Sequence, residues 1–198
     1  MRPFYLLLLF FVLLGALQAQ HQQPLQGYIV TKNHYHLTGF IGQIDHSQYG
    51  TMVKFINDFG TPYVLHPALI RGFVFYEGPA IYAYESKLWR SNWLFLRVLY
   101  AGDNVRLLQT PELQTDFVVI DGQMVAQRKK IKQFWVEVAG GRILPLKRSG
   151  FRGQMKSLIA DVSPQLAQKI GRPGYRFQNL YEILAEYDQE CIKGKRRL

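Results

Sequence analysis

Residues 117–146 read FVVIDGQMVAQRKKIKQFWVEVAGGRILPL, and this stretch indicates the fold more clearly than any other. Short apolar runs flank Asp121-Gly122, a pair that favours a tight hairpin turn because both residues tolerate the backbone angles required there. A second hairpin is predicted at Ala139-Gly140-Gly141, between Phe134–Val138 and Arg142–Leu146. Consecutive short strands joined by tight turns are typical of an antiparallel sheet.

The same alternation of short β runs and turn residues extends back to about residue 26. Residues 57–60, Asn-Asp-Phe-Gly, have turn chemistry, and the Glu-Gly-Pro of residues 77–79 separates two further runs. No helix-length crossover interrupts the series, which argues against a parallel sheet. The sequence therefore predicts an antiparallel β region over residues 20–147, a meander that forms a sandwich or an open barrel.

After Ser149 the apolar period becomes helical. Phe151, Met155 and Ile159 lie at helical spacing. Ser163-Pro164 is typical of a helix start, with Ser as the N-cap and Pro in the first turn. A third apolar stripe covers residues 180–187. The predicted fold class is thus β-rich α+β: the meander, then two or three C-terminal helices packed on the sheet in a subdomain over residues 148–190, and a basic tail over residues 191–198.

The first nineteen residues have the form of a secretory signal peptide. Arg2 precedes an apolar run over residues 4–14, and small residues follow as far as Ala19. The run is shorter than the roughly 20 apolar residues that a membrane span needs. We expect cleavage after Ala19, no transmembrane segment afterwards, and a mature chain in the periplasm, at the cell surface or secreted. An uncleaved anchor is the alternative, and the single Cys191 excludes an internal disulfide.

The charge distribution is the most unusual feature of the chain. Its 24 Lys and Arg outweigh 14 Asp and Glu, for a formal charge of +10. Between residues 128 and 156 the only acid is Glu137, and Phe134 and Trp135 lie among the basic residues. Such a cluster attracts anions. The candidate anion-binding residues are Arg128, Lys129, Lys130, Lys132, Arg142, Lys147, Arg148, Arg152 and Lys156.

Three interpretations of this charge compete. It could be a solvated surface that keeps the protein soluble. It could contact anionic lipid, lipopolysaccharide phosphate or acidic glycan, because basic segments bind near such surfaces. Nucleic acid also fits a basic patch, but export removes the usual nucleic-acid targets, so this partner is the least favoured.

Motifs for catalysis or metal binding are weak. His34 and His36 are spaced to share one face of a strand and bind zinc, with Asp45 or His46 completing the site. However, His34 falls in a predicted turn, so surface histidines without a metal are favoured and no cofactor is predicted. No serine has the Gly-x-Ser-x-Gly elbow of a nucleophile, and Cys191 lies beyond the last helical stripe.

Several short motifs lie along most of the mature chain. They are GYIVT at residues 27–31, LTGFI at 37–41, IRGF at 70–73, YAYES at 82–86, SPQLAQKI at 163–170, GYRF at 174–177 and LYEILAEY at 180–187. Together they resemble a group of uncharacterised exported proteins of Bacteroidetes-type bacteria, with residues 112–131 matching least well. The resemblance implies an envelope or secreted location. It carries no activity and no site residues.

The first functional hypothesis is an exported, non-catalytic binding or interaction module of the cell envelope. Its contact surface would be the basic stretch 128–156 together with the C-terminal tail. One alternative is a hydrolase of envelope material, which requires His36, His46 or His66 to converge with a carboxylate. Another is a structural accessory of an envelope assembly, which would bind a protein partner through an exposed apolar patch or sheet edge.

Overall fold

The first four strands form an antiparallel meander. The computed structural model describes residues 23–47, 49–120, 123–138 and 140–195. Each of these strands pairs with the next along the chain: β1 (Leu25–Thr31), β2 (His36–Ser47), β3 (Gly50–Asn57) and β4 (Pro62–Leu65). The Oδ1 atom of Asn57 accepts hydrogen bonds from the backbone N–H groups of Phe59 and Thr61. The turn predicted at residues 57–60 is therefore confirmed.

The fifth strand crosses to the other edge of β1 and begins a second meander. Its strands are β5 (Ile70–Glu77), β6 (Ala80–Trp89), β7 (Asn92–Ala101) and β8 (Val105–Gln109). The chain then leaves the sheet as a separate hairpin of β9 (Leu113–Ile120) and β10 (Gln123–Lys130). It returns as β11 (Phe134–Val138), which pairs with β8, and β12 (Arg142–Leu146).

The main sheet has ten strands and is not a closed barrel. Its order is β12-β11-β8-β7-β6-β5-β1-β2-β3-β4, and every pair is antiparallel. The sheet curls so that β3 lies beside β7. The predicted fold class, a β-rich antiparallel meander followed by C-terminal helices, is confirmed.

Aromatic rings fill the inside of the curl. Phe73 is fully buried on β5, stacks on Tyr84 at a centroid distance of 4.8 Å and meets Phe95 edge to face at 5.0 Å. Stacked and edge-to-face pairs are the arrangements that aromatic quadrupoles favour. Ile41 and Val53, from β2 and β3, belong to the same cluster. This core therefore joins the two meanders into one unit.

The C-terminal half of the sheet has a different apolar cluster on each face. Leu107 packs with the helices, whereas its neighbour Leu108 packs with Trp135 on the opposite face. Val136 again belongs to the helix side. Adjacent strand residues point to opposite faces, so both faces of this half are apolar. The apolar face that carries Leu107 and Val136 is kept from water because the helices cover it.

Three helices provide that cover. They are α1 (Phe151–Ile159), α2 (Pro164–Lys169) and α3 (Leu180–Lys195), with a 3-10 turn (Phe177–Asn179) before α3. α3 runs beyond the boundary predicted at residue 190. Cys191 is only 8% exposed and belongs to the helix-side core, because it continues the apolar stripe by one further turn. No helix in the described part of the chain has the length and apolarity needed to cross a membrane.

A buried carboxylate fastens α3 to the turn between β7 and β8. Asp188 is 6% exposed and accepts hydrogen bonds from the backbone N–H groups of Asp103 at 3.1 Å and Asn104 at 2.6 Å. The side chains of Asn104 and Tyr100 donate two more, at 3.1 and 3.3 Å. A Cβ added at Gly102 would lie 2.4 Å from the Asp188 Oδ2 atom. The helical subdomain is thus positioned by a polar bond network as well as by apolar packing.

This network predicts a loss of stability in acid. Burial by itself would raise the pKa of Asp188, but the hydrogen bonds from Asn104 and Asp103 outweigh it and lower the pKa below the usual 3.8. A group with a lowered pKa in the folded state stabilises the fold above its unfolded pKa, and that stabilisation is lost as the pH falls through its folded pKa. We expect the unfolding free energy to decline below about pH 4. Urea unfolding of the wild type and D188N at pH 7, 4 and 3 measures this, and the variant should decline less; parallel curves would contradict it.

Candidate functional site

The nine basic residues predicted to bind anions lie in several places. Arg128, Lys129 and Lys130 are on the outer strand of the β9–β10 hairpin, and all three are exposed. Arg142 begins β12 and Lys147 follows it, both exposed, while Lys156 is half-buried near the end of α1. The remaining three, Lys132, Arg148 and Arg152, line one cavity. The sequence cluster therefore separates into a hairpin group, scattered residues and a cavity group.

That cavity opens between the sheet and the helices and has a volume of about 770 Å³. Sites of about 300–1,000 Å³ with an apolar lining are typical of small-ligand binding. Its apolar wall comes from β7, β8 and β11 on one side and from the helical subdomain on the other: Leu99, Leu107, Phe134, Phe151, Phe177, Leu180 and Tyr181. We call it the cation-rimmed pocket, after the four cations that line it with these residues: Lys132, Arg148, Arg152 and Arg176.

The cations are arranged against aromatic rings. The Lys132 Nζ atom lies 5.5 Å from the ring centre of Phe134, and the Arg148 guanidinium carbon lies 6.0 Å from that of Phe177. Phe177 also meets Phe134 and Phe151, at centroid distances of 5.6 and 5.5 Å. Cation–π attraction at these distances holds the charges near the rings. The charged rim and the apolar wall are therefore one continuous surface.

The loop after α2 brings the fourth cation to the rim. Gly171 has a φ of +95°, a backbone angle that favours glycine, and its N–H donates to the Tyr175 carbonyl at 2.8 Å. A Cβ at this glycine would lie 3.1 Å from the Arg152 Cδ atom, so the arginine stem packs closely against the loop. Arg176 follows on the same loop, directly before the 3-10 turn.

The lining, all of which lies in the described part of the chain, contains no Asp, Glu, His or Cys. Ser149 and Gln178 are its uncharged polar side chains. The lining therefore supplies no opposite charge to its four cations. An anionic group at the rim, attached to an apolar body against the rings, would satisfy both halves of this surface.

Trp135 is not part of this arrangement, although it stands beside Phe134 in the sequence. It points to the opposite face of the sheet, is 4% exposed, and packs edge to face on Trp89 at a centroid distance of 5.1 Å. Strand alternation explains the difference, because consecutive residues of β11 point to opposite faces. Of the two aromatic residues singled out in the sequence, only Phe134 lies beside the cations.

The histidines proposed as metal ligands are held by other partners. The Arg71 guanidinium donates to His34 Nε2 at 3.0 Å, and His36 stacks on Tyr28. His46 is buried, with its Nδ1 atom 3.0 Å from the Thr51 hydroxyl, and burial lowers its pKa even though Asp116 acts in the opposite direction. His36 and His46 are ten positions apart at opposite ends of β2, a length of roughly 33 Å in a regular extended strand. The described residues contain no group of three or more His, Cys, Asp or Glu side chains suited to a metal ion.

A second charged cluster lies on the sheet face that carries Trp135, beside a cavity of about 470 Å³. Lys87 bonds to Glu85 at 3.0 Å and to Glu137 at 2.7 Å, and Arg106 contacts the same two carboxylates. Burial would raise the pKa of Glu85, but Arg106 and Lys87 outweigh it and lower the pKa. Two cations thus balance two anions. This balance distinguishes the cluster from the cation-rimmed pocket, which has no acid.

Sequence reasoning missed Arg176 and Phe177, both outside the basic stretch. The signal was present in residues 172–177, RPGYRF, where two arginines alternate with two aromatics in the loop between helices. Comparison of the chain with known protein families, with curated proteins and with solved structures finds no significant match.

Proposed function

We propose that this protein is an exported, non-catalytic binding module of the cell envelope that holds an amphiphilic anion in the cation-rimmed pocket. The ligand class is an apolar body bearing a phosphate or carboxylate. One observation carries the proposal: four cations and seven apolar or aromatic side chains line the pocket, and the lining has no acid. Export rests on residues 1–19, which lie outside the described residues.

The chemistry of the rim suits phosphate and carboxylate oxygens. Three of its four cations are arginines, whose planar guanidinium groups donate pairs of parallel hydrogen bonds to such groups. Lys132 adds a compact charge beside Phe134. Displacing water from the apolar wall would strengthen these interactions, because charge attraction grows as the local dielectric falls.

The same arrangement favours an anion with an apolar body over the other partners considered. A polymeric glycan or a nucleic acid needs an extended basic track, whereas Arg142 and Lys147 lie outside the pocket lining. The hydrolase alternative needs His36, His46 or His66 to converge with a carboxylate. His66 instead accepts a hydrogen bond from the Ala68 backbone N–H, and His36 and His46 lie far apart on β2.

Binding of dodecyl phosphate to the mature chain tests the proposal, with neutral dodecyl maltoside as the reference probe. We expect calorimetry to show binding of the phosphate and at least about tenfold weaker binding by R148E/R152E, since charges paired in a partly desolvated site are costly to reverse. The matched control is R142E/K147E, which changes the net charge equally outside the pocket and should bind as the wild type does.

Two results would contradict the proposal. One is equal weakening in both double variants, which would mean that only net charge matters. The other is equal affinity for the phosphate and the maltoside. Thermal unfolding of each variant, compared with the wild type, shows whether the fold is retained.

A further inference from the structure

On one face, the β9–β10 hairpin has exposed apolar side chains near its turn and basic side chains farther along β10. It forms its own two-stranded sheet outside the ten-stranded one, and β10 is exposed along its whole length. Val119 is 70% exposed and Met124 is 74% exposed, and these two residues form the second cross-strand pair from the turn. Neighbouring apolar side chains with this exposure mark a surface that can contact a protein or a membrane.

The basic residues follow on the same face. In an antiparallel pair, alternate residues share a face, so Met124 is aligned with Arg128 and Lys130 along β10. Thr115 and Leu113 lie opposite these two cations on β9. The cations therefore stand about 13 and 20 Å behind Met124.

Asp116, the acid of the two described strands, belongs to the other face, and Asp121 in the turn between the strands lies outside the described residues. Asp116 pairs with Lys129 at 2.5 Å and accepts a hydrogen bond from the Gln114 amide, also at 2.5 Å. β9 runs beside β2, and the Asp116 charge acts on His46 of that strand. The face turned towards the body thus contains a balanced pair. The outward face has Arg128 and Lys130 and no acid among its described residues.

We infer that this hairpin docks on the surface of an anionic lipid bilayer, with Val119 and Met124 in the outer acyl region and Arg128 and Lys130 at the phosphates. An apolar end followed by cations matches the order in which a bilayer presents its interior and its headgroups. The polar and headgroup zone on each side of the hydrocarbon is several ångströms thick, which is less than the strand length between Met124 and the two cations, so the hairpin must lie tilted with this face towards the bilayer for both groups to reach their layers. This inference goes beyond the pocket and does not depend on its ligand.

The test is co-sedimentation of the mature chain with vesicles of phosphatidylcholine and phosphatidylglycerol at 3:1, and with phosphatidylcholine alone. We expect capture by the anionic vesicles at low salt. V119Q/M124Q, which keeps every charge, should bind at least about tenfold more weakly. Its matched control, V64Q/I81Q, replaces two apolar side chains that are each 66% exposed elsewhere and should bind as the wild type does.

Charge position is tested in the same way. R128Q/K130Q should weaken capture more than R142Q/K147Q, which removes the same charge from exposed sites off the hairpin. R148E/R152E separates this inference from the proposed pocket. It should impair dodecyl phosphate binding, but it leaves the hairpin unchanged and should therefore still be captured by the anionic vesicles. Wild-type strength in V119Q/M124Q, or no capture of the wild type at low salt, would overturn the inference.

Discussion

D188A is expected to lower the free energy of unfolding by about 3 kcal/mol, because it removes a buried, charged acceptor from four donors at once. The lost bonds join α3 to the turn between β7 and β8. α3 supplies Leu180 and Tyr181 to the cation-rimmed pocket, so the variant should also weaken dodecyl phosphate binding. Urea unfolding followed by tryptophan fluorescence measures the first effect, and calorimetry measures the second.

The matched control is D103A, since Asp103 contributes its backbone N–H to this network and its side chain is exposed. G102A should also lower the free energy of unfolding, because its added Cβ would lie 2.4 Å from the Asp188 carboxylate and 2.9 Å from the Tyr100 ring. Equal stability of D188A and D103A would show that the carboxylate does not hold the helix in place.

F73A is expected to cost about 4 kcal/mol, as large-to-small changes of fully buried aromatics do. Phe73 is fully buried, and its ring contacts Tyr84 and Phe95 inside the curl of the sheet. The cavity left behind would be lined by the rings of Tyr84 and Phe95, which cannot fill it without moving β6 and β7.

F59A serves as the comparison for F73A, because Phe59 is 93% exposed in the turn before β4. Its unfolding free energy should stay within about 0.5 kcal/mol of the wild type. A similar loss of unfolding free energy in both variants, measured by urea unfolding, would mean that the buried aromatic cluster does not stabilise the fold. Unlike D188A, F73A acts far from the helices, so a folded F73A should still bind dodecyl phosphate.

Local chemistry made much of the fold predictable. The turn at residues 57–60 and the change to helical spacing after Ser149 are properties of a few neighbouring residues, whereas the turn predicted at Asp121-Gly122 lies outside the described residues. The crossing from β4 to the far edge of β1 was not predictable, because no local pattern states which distant strand a given strand will pair with. The extension of α3 past residue 190 has a local sign instead, because Cys191 follows Tyr187 by four residues and so continues the apolar stripe.

The site was predictable only in part for a related reason. The basic stretch 128–156 was evident from the sequence. In the fold its residues are separated, because alternate residues of a strand point to opposite faces and because the hairpin leaves the main sheet. Lys132 and Arg148 come together across β11 and β12, and Arg176 joins them from the loop before α3. Which cations share a pocket depends on tertiary packing that the charge pattern does not encode.

The pairing of β8 with β11 makes the β9–β10 hairpin an excursion between two neighbouring strands of the main sheet. These two strands are neighbours in the sheet, with Gln109 opposite Phe134, although the whole β9–β10 hairpin lies between them in the chain. A short turn could join them directly and leave the ten-stranded ladder unchanged. The hairpin therefore stands outside the backbone pairing of the main sheet, and its connection to the body runs through the contacts of β9 with β2.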